Sequence, residues 1–196
     1  MYIPKKPILL LLSAAFFLVA HAQTFMTREG HAHFFSSTSI ENIEADNQQL
    51  SGLLDASTGD FAFQVQMRSF HFEKALMEEH FNESYVESEK YPKASFQGSI
   101  ESWESVKPNG ESFDVVAIGD FDIHGIAKTY RIEGRMKYDN SIWHLNADFE
   151  VTLAEHNIQI PPVVRDNISP VIAIDVDAQM MPRWVRYSAY AVFWFL

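Results

Sequence analysis

Two groups of side chains have the types and spacing to do chemistry. His31 and His33, in GHAHFF, stand two residues apart. On an extended strand that spacing sets both imidazoles on one face, where a pair can ligate zinc or copper. His71, His80, His124, His144 or His156 would have to supply a third ligand, and the chain would then act as a metal-dependent hydrolase. Against this, there is no helical His-x-x-x-His, no Asp or Glu sits beside the pair, and HFNES (80–84) is not the His-Glu-x-x-His of zinc proteases. A polar strand face is the plainer reading of the same residues.

The second group is Glu83, Glu87 and Glu89, crowded around Tyr85 and Tyr91 in FNESYVESEKYPKASFQG (81–98). Clustered carboxylates can form an acid–base pair or hold calcium. Acid–base work needs one of them in an apolar pocket that raises its pKa, and calcium needs an Asp-x-Asp-x-Asp-Gly loop that is absent. What remains is an acidic, solvated connector whose i, i+4 like charges disfavour a helix running past Asn82. No G-x-S-x-G elbow and no glycine-rich phosphate loop occurs. The sequence therefore assigns no catalytic residue, no metal ligand and no cofactor, and the chain does not read as an enzyme.

The elements that must position these residues begin with a leader. Lys5 and Lys6 precede the apolar run Ile8–Ala20, and AHA at 20–22 offers a small-x-small cleavage site. The run is shorter than the roughly 20 residues a membrane helix needs, so residues 1–22 read as a signal peptide rather than a stable transmembrane span. The expected location is the periplasm, or outside the cell. The chain carries a formal charge of −11 and no cysteine. An acidic surface without a basic stripe excludes nucleic acid as a partner, and the missing cysteines exclude disulfides and thiolate metal sites.

Period-two alternation dominates the chain after the leader. Phe61, Phe63, Val65 and Met67 share a face against Gln64 and Gln66; Val115, Ala117, Phe121 and Ile123 share one against Asp114, Asp120, Asp122 and His124. Trp143, Leu145, Ala147, Phe149, Val151 and Leu153 oppose His144, Asn146, Asp148 and Glu150, and Ile172, Ile174 and Val176 oppose Asp175 and Asp177. Further strands are expected at 29–37, 47–56, 93–101 and 128–138, separated by turn signals at 57–60, 107–110, 123–128 and 138–141. About eight antiparallel strands result, which close most simply into a barrel; a two-layer sandwich fits the same periodicity. One helix is expected over 70–82, capped by Ser69 and burying Phe72, Ala75, Leu76 and Phe81 at a barrel end. In KASFQG, alternation sets Ala94, Phe96 and Gly98 on one face, a small–large–small order that suits a tapering interior.

Three blocks, SFHFEKALMEEHFNESYVESEKYPKASFQG (69–98), GDFDIHGIAKTYRIEG (119–134) and ADFEVTLAEHNIQIPPVVRDNI (147–168), resemble in order and spacing the YceI-like family of lipid- or polyisoprenoid-binding proteins. The likeness runs over about residues 24–179. It implies an all-β, eight-stranded, antiparallel, lipocalin-like barrel with one short helical insertion, whose apolar interior takes a long isoprenoid chain, polyprenyl or quinone-related. The family offers no catalytic residues to carry over.

By pattern alone the aromatic stripe fills a dry core or lines a tunnel, since an eight-stranded barrel has room for either. With the resemblance, the residues expected to line a lipid site are Phe61, Phe63, Val65, Met67, Phe96, Phe121, Ile123, Trp143, Leu145, Phe149, Val151, Ile172 and Ile174. Residues 23–180 then form the domain. A ligand-free extracytoplasmic stress or interaction module is the blander alternative. After Ala178 the likeness stops: residues 181–196 are an apolar tail, read as an interfacial anchor, a cap over the barrel or the product of a shifted reading frame, with the last strand ending near 180.

Overall fold

A strand with one apolar and one polar face can satisfy both faces by curling around its own apolar side, and this chain does so. The computed structural model describes residues 24–183, so the leader and nearly all of the apolar tail lie outside the described residues. Nine strands follow one another: β1 (Thr24–Ser37), β2 (Asn42–Asp55), β3 (Asp60–Gln66), the two-residue β4 (His71–Phe72), β5 (Lys93–Ile100), β6 (Ser112–Ile123), β7 (Ile126–Asp139), β8 (Ile142–Thr152) and β9 (Val171–Pro182). All pairings are antiparallel, in the order β1-β9-β8-β7-β6-β5-β3-β2, and β1 pairs with β2 to close the ring. The result is an eight-stranded barrel, as expected, and not a sandwich. β4 extends it by pairing with Asp46 and Ala45 of β2, above the stretch of β2 that β3 uses.

Two hairpins turn on consecutive left-handed residues, His124 (φ 56) with Gly125 (φ 72) and Asn140 (φ 49) with Ser141 (φ 65). Two positive φ values in a two-residue loop match the right-handed twist of the flanking strands. β1 is irregular near Arg28 and Glu29, where its register to β2 shifts between Thr27 and Gly30. The shift re-phases the strand, so that Ala32, Phe34 and Ser36 are buried while His31 and His33 share the outer face.

The helix differs from expectation. α1 covers only Ala75–His80, its N-cap is Lys74 with no side-chain cap, and a π-turn follows over Phe81–Tyr85. Ser69 closes a 3-10 turn instead, with its hydroxyl 3.3 Å from Gln49 Oε1. Phe72 is drawn into β4 because pairing with Ala45 lets its ring join Phe34 and Phe81, at centroid distances of 5.4 and 5.1 Å. Leu76, expected to be buried, is 60% exposed; Met77 and Phe81 form the inward side. Six residues make too short a helix for an apolar stripe to decide its facing, so the flanking strand decides it.

The core divides along the barrel axis. At the end formed by the β2–β3, β5–β6 and β7–β8 turns, Phe25, Trp103, Met136 and Trp143 pack with Tyr138 and Phe113. At the end that carries α1, Phe34, Phe70, Phe72 and Phe81 cluster over Met67, Val86 and Ala94. The second cluster is looser in one respect. β7 and β8 pair only from Gly134 with Ala147 to Asp139 with Ile142, leaving the upper part of β7 without a ladder on that side. The 3-10 turn Leu153–His156 and the residues after it occupy this seam.

Candidate functional site

Between the two clusters lies a cavity of ≈ 380 Å³, within the range of about 300–1,000 Å³ usual for small-molecule sites. Its floor is Leu54, Ile100 and Met180. Beneath them Trp103 stacks at a tilt on Trp143, with centroids 5.4 Å apart, and anchors its indole N–H on the Ala56 carbonyl at 2.9 Å. The walls are apolar because each strand turns its apolar face inward, and the lining runs up to the aromatic cluster beside α1.

Twelve of the thirteen residues expected to line the site do line this cavity, from Phe61, Phe63, Val65 and Met67 on β3 and the turn after it to Ile172 and Ile174 on β9. Trp143 does not. It is 3% exposed, among Phe25, Phe113, Tyr138 and Trp103, and belongs to the plug under the floor. Sequence reasoning missed the contributions of β1 and β2, notably Ala32, Phe34, Ile43 and Leu50. The signal for the first two was present in the alternation HAHFF, where the histidines drew attention from the residues between them. Phe63 fits because it faces Gly52 in the β2–β3 ladder; a Cβ on Gly52 would overlap the Phe63 ring edge.

The mouth lies at the helix end and is built from three segments. Glu41 in the β1–β2 turn, Met77 and His80 on α1, and Val164 and Asn167 in the β8–β9 loop all border the cavity. Glu41 joins them: Oε1 accepts from Lys74 Nζ at 3.2 Å, and Oε2 accepts from Asn167 Nδ2 at 3.1 Å. The Asn167 hydrogen bond and the Lys74 ammonium hold the Glu41 carboxyl below the usual carboxylate range, against the opposing effect of burial. Tyr85, also on the lining, has its phenol pushed up by burial and stays protonated.

The histidine pair faces outward, away from this cavity. Asp46 lies opposite His33 in the ladder, and its Oδ1 meets His31 Nε2 at 2.6 Å and His33 Nδ1 at 3.2 Å. The absence of a neighbouring acid in sequence is thus made good by the next strand. Burial pushes the Asp46 carboxyl up, but the two histidine hydrogen bonds outweigh it and the net shift is downward. Among the described residues no group of three or more His, Asp or Glu can hold a metal ion.

The acidic connector is divided in role. Glu83 is exposed and Glu89 pairs with Arg68 at 3.0 Å on the surface. Glu87, itself left-handed at φ 46, reaches the Nε2 of buried His124 at 2.8 Å. His124 donates from its other nitrogen to the His156 carbonyl at 3.0 Å, under the edge of Tyr91. His156 is wholly buried; its Nδ1 donates to the Ile126 carbonyl at 3.0 Å. Burial and the nearby Glu155 keep the Tyr130 phenol protonated, and it donates to His156 Nε2 at 3.0 Å. This chain of bonds ties the connector, the β6–β7 hairpin and the seam together.

A family model for the YceI-like domain matches residues 13–180. The chain belongs to the YceI-like family. Solved structures share the fold at low identity. A polyisoprenoid binding domain from Saccharophagus degradans, implicated in plant cell wall breakdown, aligns at a TM-score of 0.71 and 13% identity, over 82% of this chain and 99% of that one. Burkholderia cenocepacia BcnA aligns at 0.64 and 13% identity, over 77% and 95% of the two chains. A Campylobacter jejuni YCEI protein aligns at 0.51 and 10% identity, over 90% and 97%. No curated protein matches. In these YceI-like terms the three sequence blocks become one construction: the helix and connector over the mouth, the β6–β7 hairpin that Glu87 and His124 hold to it, and the β8 wall with the seam turn.

Proposed function

We propose that this YceI-like chain binds a long-chain isoprenoid, polyprenyl or quinone-related, inside its barrel, and that it sequesters or carries that lipid rather than transforming it. One observation supports this above the others: the inward faces of the strands leave a continuous apolar cavity, plugged by Trp103 and Trp143 below and bordered above by the β1–β2 turn, α1 and the β8–β9 loop. Each isoprenoid carbon buried there contributes at most roughly 0.3 kcal/mol, and over a long chain this holds the lipid without a charged contact. The polyisoprenoid binding domain of Saccharophagus degradans, which shares the fold, favours the same ligand class. The basic and apolar leader favours action in the periplasm or outside the cell.

The test is mass spectrometry of organic extracts from the purified full chain, expressed with its leader. A single isoprenoid at near-stoichiometric amount supports the reading. Folded protein that yields no isoprenoid, even after isoprenoid lipids are offered, overturns it.

A further inference from the structure

Charge is distributed unevenly around the cavity. Among the described residues that line it, Glu41 is the one carboxylate, and no lysine or arginine is present. The Lys74 ammonium pairs with Glu41 at 3.2 Å. Arg165 stands on the same loop as Asn167, exposed, and does not line the cavity. A lipid whose chain fills the barrel must leave its head at the mouth, against Glu41, Asn167 and His80. The Glu41 side chain is only 26% exposed, so its charge is less screened there than on open surface. Each of its oxygens accepts one hydrogen bond from Asn167 or Lys74, and a carboxylate has about four acceptor sites in all. A hydroxyl can therefore be accommodated as a donor, whereas a phosphate brings about 1.5 to 2 negative charges and, as the dianion, no donor that Glu41 can accept.

We propose that Glu41 makes the mouth selective for isoprenoids with an uncharged, hydroxyl-bearing head, and against those that end in a phosphate. This rests on the isoprenoid reading of the cavity and narrows it. Asn167 and Lys74 serve as positioning residues: they fix the carboxylate between the β1–β2 turn, α1 and the β8–β9 loop, and keep it ionised at neutral pH.

The experiment is a competition. The purified full chain is incubated with equal amounts of octaprenol and octaprenyl phosphate in detergent, re-isolated, and the bound lipids counted by mass spectrometry. Octaprenol should exceed octaprenyl phosphate by at least about tenfold, the scale expected of one like-charge contact in a partly shielded mouth. In Glu41→Gln the ratio should fall to within about threefold, because the repulsion is gone and Lys74 is released, and an unshifted thermal unfolding transition reports an intact barrel. Equal loading of both lipids by the native chain, or an unchanged ratio in Glu41→Gln, overturns the selectivity and leaves the isoprenoid cavity standing. Loading of neither lipid overturns both.

Discussion

The Nε2 atom of His156 lies 3.0 Å from the Tyr130 hydroxyl, beside the part of β7 that has no ladder to β8. A barrel closed by backbone pairing along its whole circumference would need no such contact. Here a side chain takes over part of that work, since His156 Nδ1 also satisfies the Ile126 carbonyl. His156→Ala would remove both bonds in a fully buried position and leave a void, so a loss of about 3 kcal/mol in denaturant unfolding is expected. Tyr130→Phe removes one of the bonds and should cost about 1–2 kcal/mol. The double variant should cost less than the sum, because the two residues share the contact.

Gly52 and Phe63 set the width of the cavity on the β3 side. Since a Cβ at position 52 would overlap the Phe63 ring edge, Gly52→Ala must drive that ring towards the cavity. The expected outcome is a stability loss of about 1–3 kcal/mol together with a clear fall in extractable lipid. Unchanged lipid content in a folded Gly52→Ala variant would show that Phe63 does not bound the ligand.

The acidic connector should prove structural at one position only. Glu83→Gln and Glu89→Gln are expected to stay within about 0.5 kcal/mol of the native chain, as exposed positions do. Glu87→Ala, which strips a partner from buried His124, should cost about 1–2 kcal/mol in thermal or urea unfolding. The triple variant Glu83→Gln, Glu87→Gln, Glu89→Gln should keep its lipid. The amide of a glutamine at position 87 can still hydrogen-bond to His124, and none of the three positions lines the cavity.

Asp46 supplies a pH signature. Its folded pKa is lowered below the ordinary 3.8 by His31 and His33, so its carboxylate stabilises the fold above that value. The contribution is lost as pH falls through the lower, folded pKa. With the Asp46 side chain 52% exposed, solvent screening keeps the effect below about 1 kcal/mol. Asp46→Asn should thus be slightly less stable than the native chain at about pH 6, and the difference should shrink progressively below pH 3.8. A gap that persists undiminished at the acid end would assign the effect to packing rather than charge.

Period-two alternation is a property of the local backbone, so the strands and the direction of their apolar faces are legible residue by residue. That is why Phe61, Phe63, Phe121, Leu145 and Phe149 can be placed on the inward face from the chain alone, while their lining a cavity is an expectation from the family resemblance. The helix is legible only in part, because a six-residue element has little propensity to express and takes its limits from β4 beside it. Trp143 alternates in phase with Leu145 and Phe149 yet sits below the floor. Alternation tells which face a residue is on but carries no information about its depth along the axis, and depth is what separates plug from lining.

The all-β class, an approximate strand number and the apolar face of each strand follow from pattern, which acts between neighbours in the chain. Pattern alone leaves open the choice between barrel and sandwich, and that between filled core and tunnel. Nor does it give the closing pair of β1 with β2, the open seam that His156 fills, or the meeting of Glu41 with Asn167 across 126 positions. These depend on ladder register and on loops brought together at one end of the barrel. Such contacts form only once all eight strands share a core, because no segment alone buries enough apolar surface to hold them.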